Sequence, residues 1–242
     1  MHNLFILSLF YLLMPIQKVF FKNSKGLKLA ALLHSPAGDG PFPAVIRTHG
    51  YRSNKEGRTS TVLAEKFTNF IYFRFDMHGH GESEGNPEEI DALQCAHDVQ
   101  SAIEYVRSLP SVDKKRIALT GSSLGGMAVL LAAAWEDVAA VVPVCPVTDF
   151  HPFKKSDVKY KSLIAQLASE NIYKEAEKIS SPAFVIHGDN DTVVPIMQSI
   201  ELIRHLKEGT LHIIPGADHI FSNEKNFQQM IQHTADFILS KL

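Results

Sequence analysis

The sequence predicts an α/β fold: an eight-stranded, mostly parallel sheet flanked by helices, with a small helical cap insertion. Three observations lead there. Short apolar, β-branched runs alternate with stretches of helical periodicity. Four of those runs end on glycine, in AVIRTHG, RIALTG, AFVIHG and TLHIIPG. Between Pro146 and Pro182 the alternation stops for about 35 residues, too few for an independent domain and enough for a cap. Strands that are apolar on both faces need helices over both. In such sheets ligands bind beyond the carboxyl ends of the strands.

In chain order, QKVFFKN and LKLAALLH read as strands joined by the hairpin turn Ser24-Lys25-Gly26. AVIRTHG (44–50) is the third strand, a helix follows over 57–68, and FIYFRFD (70–76) is the fourth strand. The polar, glycine-rich MHGHGESEGNP then forms a loop. From Asp91 to Leu109, Leu93, Ala96, Val99, Ile103 and Val106 recur at helical spacing. RIALTG is a strand that runs directly into SSLGGMAVLLAAAW, whose alanines and leucines favour helix. AAVVPVCP suits a buried central strand, and AFVIHG (183–188) and TLHIIPG (210–216) are the last two. Helices over 196–206 and 225–241 complete the chain, and the insertion holds one around Tyr160 to Ala168. The expected organisation is a single domain over 17–242, with the cap at about 146–182 and an apolar extension at 1–16.

Composition narrows the function classes. At 45% hydrophobic and 21% charged, the chain is an ordinary globular one. Its 24 Lys and Arg against 26 Asp and Glu give no broad attraction to nucleic acid, and none is expected as a partner. Two cysteines, Cys95 and Cys145, make no disulfide framework and read as buried thiols. The uncharged run Leu4 to Ile16 has thirteen residues, short of the roughly 20 that span a bilayer. It also lacks the basic flank and small-residue cleavage site of a signal peptide. The expected location is cytoplasmic, with membrane association through residues 1–16, or export, as the alternative.

The sharpest chemical signal is GSSLG, Gly121 to Gly125. A G-x-S-x-G between an apolar strand and an apolar helix puts serine on a tight turn with its Oγ exposed above the sheet. Ser123 is therefore the expected nucleophile, and Ser122 occupies the variable position. A serine hydroxyl needs a general base held by a third group. His219, in PGADHIF after the last strand, is the best base. Asp191, in HGDNDTVVP, is the best orienter, with Asp189 as its rival. Chain order is then Ser, Asp, His. His187 reads as a supporting histidine and Asp218 as a brace for the loop of His219. The oxyanion of a tetrahedral intermediate needs backbone donors, which the N–H groups of Leu124 and Tyr51 would supply. His78, His80, Glu82 and Glu84 crowd one loop, but H-x-H without a third placed ligand is weak grounds for a metal. No phosphate-cradling or dinucleotide motif is present. Neither metal nor cofactor is expected.

Taken together, HGYRSNK, RFDMHGHGESEG, GSSLGG, HGDNDTVVP and GADHIF resemble the α/β-hydrolase superfamily from about Gln17 onward. Within it they are similar to small bacterial carboxylesterases, of the cinnamoyl or feruloyl esterase and monoacylglycerol-lipase or serine-aminopeptidase-like groups. The resemblance implies a serine esterase with Ser123, Asp191 and His219 as triad and Tyr51 and Leu124 at the oxyanion positions. It favours Asp191, the second acidic residue of the HGxxDxxVP-like segment, over Asp189. It also implies that the His78–His80 loop is structural. The compact insertion, with Lys154, Lys155, Lys159 and Lys161, departs from the longer one those esterases often carry. A lysine run of this kind is usually a solvated face. The expected substrate is a small carboxylic ester.

Overall fold

The computed structural model describes residues 15–149 and 171–242. The expected helix at Tyr160 to Ala168, the four insertion lysines and residues 1–14 lie outside the described residues. Eight strands form one sheet: β1 (Ile16–Lys22), β2 (Lys28–His34), β3 (Phe42–Thr48), β4 (Ile71–Phe75), β5 (Val112–Ser122), β6 (Ala140–Val144), β7 (Ala183–Gly188) and β8 (Gly209–Ile214). Their spatial order is β1-β2-β4-β3-β5-β6-β7-β8. β2 runs antiparallel to both neighbours, and every pairing from β4 to β8 is parallel.

Helices cover both faces, as parallel strands require. One face carries α1 (Arg58–Ala64) and α6 (Glu224–Lys241) over Val45, Tyr72, Ala118 and Val142. The other carries α2 (Ala92–Ser108), α3 (Leu124–Trp135), α4 (Ile172–Ala176) and α5 (Met197–His205) over Ile46, Phe73, Leu119 and Val185. α3 is buried over nearly its whole length, so it is apolar all round where α2 and α6 are two-sided. Asp91 caps α2 by accepting from Gln94 N at 3.0 Å, and Asn223 caps α6 by accepting from Lys225 N.

Some boundaries differ from expectation for local reasons. Ile16, assigned to the extension, opens β1 and pairs with His34. α1 stops at Ala64 because the next amides bond three residues back, Lys66 to Leu63 and Phe67 to Ala64, a tighter winding that turns Phe67 into the core. β5 begins at Val112, where pairing with Phe42 extends it beyond its apolar run. α4 was not foreseen, since five residues are too few to show a period.

β3 has β4 on one side and β5 on the other, so the connections leaving β3 and β5 diverge. That reversal opens a crevice at the carboxyl ends. The segments after β3 and β5 carry Tyr51 and Ser123, and the candidate site begins there.

Candidate active site

Ser123 sits between β5 and α3 at φ 55°, ψ −116°, a backbone region that costs a non-glycine residue about 1–3 kcal/mol. Strain of this kind holds a side chain out of the turn. The flanking glycines make the turn possible. A Cβ on Gly121 would lie 2.2 Å from Gly125 O, and one on Gly125 would lie 2.3 Å from His49 O. Both contacts are with backbone, which cannot swing aside. Thr48 Oγ1 adds a clamp by donating to Gly125 O at 3.1 Å. Gly125→Ala is therefore expected to destabilise the protein by about 3 kcal/mol, lowering Tm by about 6–12 °C. An unchanged melting temperature would contradict this packing.

The histidine and acid come from the ends of β8 and β7. His219 Nδ1 is 2.6 Å from Asp191 Oδ2. Asp191 Oδ1 accepts from the amides of Val193 and Val194, each at 2.8 Å, which fixes the carboxylate before the imidazole reaches it. His187 stands behind. Its Nε2 faces Val194 O at 3.0 Å and Asp191 Oδ2 at 3.3 Å, and its Nδ1 meets Ser199 Oγ at 2.6 Å. Since Val194 O can only accept, Nε2 carries the proton and Ser199 donates to Nδ1. Burial would raise the Asp191 carboxyl, but hydrogen bonds from His187 and His219 outweigh it and hold the group well below the usual carboxylate range. Cys145 completes this cluster; its thiol is pushed up by burial and stays protonated. Cys145, His187 and Asp191 offer ligand atoms within 4.8 Å of one another. Both His187 nitrogens and both Asp191 oxygens are already engaged, so the arrangement reads as support for His219.

The rivals occupy other roles. Asp189 is exposed and accepts from Gly216 N at 2.6 Å. Asp218 accepts from the amide and hydroxyl of Ser222, bracing the loop of His219.

The loops after β3 and β4 are held by three histidines that share one pattern. His49 Nδ1 meets Gly50 O at 2.8 Å while Nε2 accepts from Met77 N. His80 Nδ1 meets His78 O at 3.0 Å while Nε2 accepts from Arg52 N. His78 Nδ1 meets Asp98 Oδ2 at 2.7 Å while Nε2 accepts from Asp91 N. Burial pushes His49 and His80 down, which keeps both neutral as these bonds require. With both nitrogens of His78 and His80 occupied, the loop uses them as struts. Gly50 O is also drawn by Ser53 N at 3.1 Å. A trans peptide points its N–H opposite its C=O, so anchoring Gly50 O aims the Tyr51 amide the other way. A Cβ on Gly50 would be 3.5 Å from Ser123 Cβ, so this peptide lies beside the serine. Leu124 N is the first helical amide, which has no acceptor within its own helix.

Ser123, His219, Tyr51 and Leu124 all line one cavity of about 470 Å³. Val144, Val147, Val193, Val194 and Phe221 give it apolar walls. The sequence pattern of the prolyl oligopeptidase family matches residues 68–242, a stretch that includes Ser123, Asp191 and His219. The chain belongs to the prolyl oligopeptidase family. Relatives of this member of the family are diverse. Quorum-quenching protein AidA of Acinetobacter baumannii (strain MDR-ZJ06) is 34% identical over 131 residues, covering 52% of this chain and 43% of that protein. The mitochondrial palmitoyl-protein thioesterase ABHD10 of Bos taurus is 28% identical over 236 residues, 84% of this chain and 75% of its own. Est1E from Butyrivibrio proteoclasticus, solved with ferulic acid bound, superposes with a TM-score of 0.79 at 24% identity, over 92% of this chain and 98% of that one. The fold is that of an α/β-hydrolase, and the protein is a hydrolase by family. No helix among the described residues is long and apolar enough to cross a membrane.

Two charged residues near the site escaped the sequence reading. Lys55 is buried, with Nζ 2.8 Å from Asp76 Oδ2 and 2.6 Å from Glu82 Oε2, and ties the loop after β3 to the loop after β4. Arg47, two residues before His49 on β3, lines the cavity itself. The available signal was a charge inside an otherwise apolar strand.

Proposed function

We propose that this chain is a serine carboxylesterase that hydrolyses small carboxylic esters through an acyl-enzyme on Ser123. The observation that carries the reading is the 2.6 Å bond that His219 Nδ1 donates to Asp191 Oδ2, with His219 and Ser123 lining one apolar cavity. Asp191 holds the imidazole with its proton on Nδ1, which leaves Nε2 as the base. Ser123 Oγ attacks the ester carbonyl as Nε2 takes its proton. The negative charge that develops on the carbonyl oxygen is met by the N–H groups of Tyr51 and Leu124. The protonated imidazole gives its proton to the departing alcohol, and water, deprotonated by the same nitrogen, releases the acid and restores Ser123.

Apolar walls suit the methylenes of an acyl chain at least as well as a peptide backbone, whose amide groups need partners when desolvated. Other readings share the mechanism: a phenolic ester, as the ferulic acid bound by Est1E suggests, a thioester, as the name of ABHD10 suggests, a monoacylglycerol, a peptide, or acyl transfer to an alcohol. One panel separates them, comprising short and long p-nitrophenyl esters, methyl ferulate, a monoacylglycerol, an acyl thioester and an aminoacyl amide. The expected order puts a short oxygen ester first by kcat/KM. A higher value for the aminoacyl amide would replace the esterase reading with a peptidase.

A further inference from the structure

Arg47 is a buried guanidinium with no carboxylate partner among the described residues. It is 2% exposed and lies on the face of the sheet that α1 and α6 cover, like Val45 on the same strand. Its Nη2 donates to Ser122 Oγ at 2.6 Å, while Nε and Nη1 have no hydrogen-bond partner. The surrounding groups do not neutralise it. Tyr72 donates its hydroxyl to Ser60 O, and burial raises that phenol, so it stays uncharged. Arg58, at the same cavity, is by contrast paired with Glu224 and stacked on Phe227. Burial draws Arg47 down to about 10, which still leaves it charged at neutral pH.

A desolvated charge with open donors is disfavoured unless something of opposite charge completes it. Here Arg47 lines the cavity that holds Ser123, its two unpartnered nitrogens are buried, and the guanidinium is bonded to the residue next to that serine. Adding the 2.6 Å bond to one Cα step of about 3.8 Å and two short serine side chains puts the donating nitrogen within roughly 11 Å of the nucleophile. The geometry points to a substrate carboxylate bound by Arg47 and Ser122, so that the ester cleaved at Ser123 is a hemi-ester of a short dicarboxylic acid. This rests on the hydrolase reading and adds the substrate class. The carboxylate belongs to the acyl part because the leaving alcohol must depart while the acyl group is still attached, and so takes the open end. Hydrolysis breaks the acyl C–O bond, adds water across it, and yields a dicarboxylate and an alcohol.

The test compares p-nitrophenyl hemiglutarate with p-nitrophenyl pentanoate, which match in length and differ in terminal charge. Wild-type kcat/KM should favour the anionic ester by about 10- to 100-fold, the range of a charge-assisted hydrogen bond. Arg47→Met should bring that ratio down to about one, while Arg47→Lys should keep a preference in the same direction. A wild-type ratio of one or less overturns the inference, as does an Arg47→Met ratio equal to wild type. Pentanoate turnover lost on Ser123→Ala reports the hydrolase reading separately from the ratio. Calorimetry with monomethyl glutarate decides the case if no ester is turned over: binding weakened at least tenfold by Arg47→Met supports the site, and no binding to wild type overturns it. Tighter binding of inorganic phosphate than of monomethyl glutarate would overturn the assignment to a carboxylate.

Discussion

Replacing Ser123 by alanine is expected to lower kcat/KM on the best ester of the panel by about 10⁴-fold or more, with little change in thermal stability. The first part follows from the chemistry, since without Oγ there is no acyl-enzyme and the members of such a group act as a unit. The second part follows from local structure. Although Ser123 occupies the N-cap position of α3, its side chain makes no capping hydrogen bond. Alanine keeps the Cβ, so the strained φ of 55° is neither relieved nor worsened. A purified, folded variant with wild-type turnover would remove Ser123 from the reaction. A variant that unfolds would instead show that the elbow depends on the hydroxyl.

Sequence and structure agree most closely where backbone geometry allows few residue types. The glycines of GSSLG are of that kind. Gly121 and Gly125 face backbone oxygens at distances no side chain could accept, so the motif carried its own shape. The parallel order from β4 to β8 was legible for a similar reason, since apolar strands separated by helices have few ways to be covered. Asp189 and Asp191 mark the other limit. They share chemistry and stand two residues apart after the same strand. Which one meets His219 is set by the turn that brings the amides of Val193 and Val194 onto Asp191 Oδ1, and no property of the two side chains shows it. Arg47 was hidden by its context. In AVIRTHG it reads as one polar interruption, and only the pairing of β3 with β4 and β5 shows that Arg74 and Thr120, and no acid, stand beside it in the described sheet.

Asp191→Asn is expected to lower kcat by about 10⁴-fold, and the cause lies in hydrogen-bond directions more than in lost charge. Four donors converge on this carboxylate: the Val193 and Val194 amides on Oδ1, and His219 and His187 on Oδ2. Asparagine offers one acceptor oxygen. If that oxygen stays with the two amides, the NH₂ group faces both imidazoles. It then donates to His219 Nδ1, the proton moves to Nε2, and the nitrogen that should accept from Ser123 becomes a donor. It also opposes His187 Nε2–H, which already points at Val194 O, so some loss of stability accompanies the loss of rate. Asp189→Asn provides the control. Its oxygen can still accept from Gly216 N, and kcat should stay within about threefold of wild type. Equal losses from the two substitutions would remove Asp191 from its role. Acid should not mimic Asp191→Asn at ordinary pH. The lowered folded pKa of this carboxyl means that the stability it contributes is present above about pH 4 and is lost as pH falls through that lower value. A decline in activity near pH 5 to 6 must therefore come from another group, and the pH profile of wild type against Asp189→Asn would show the same acid limb in both.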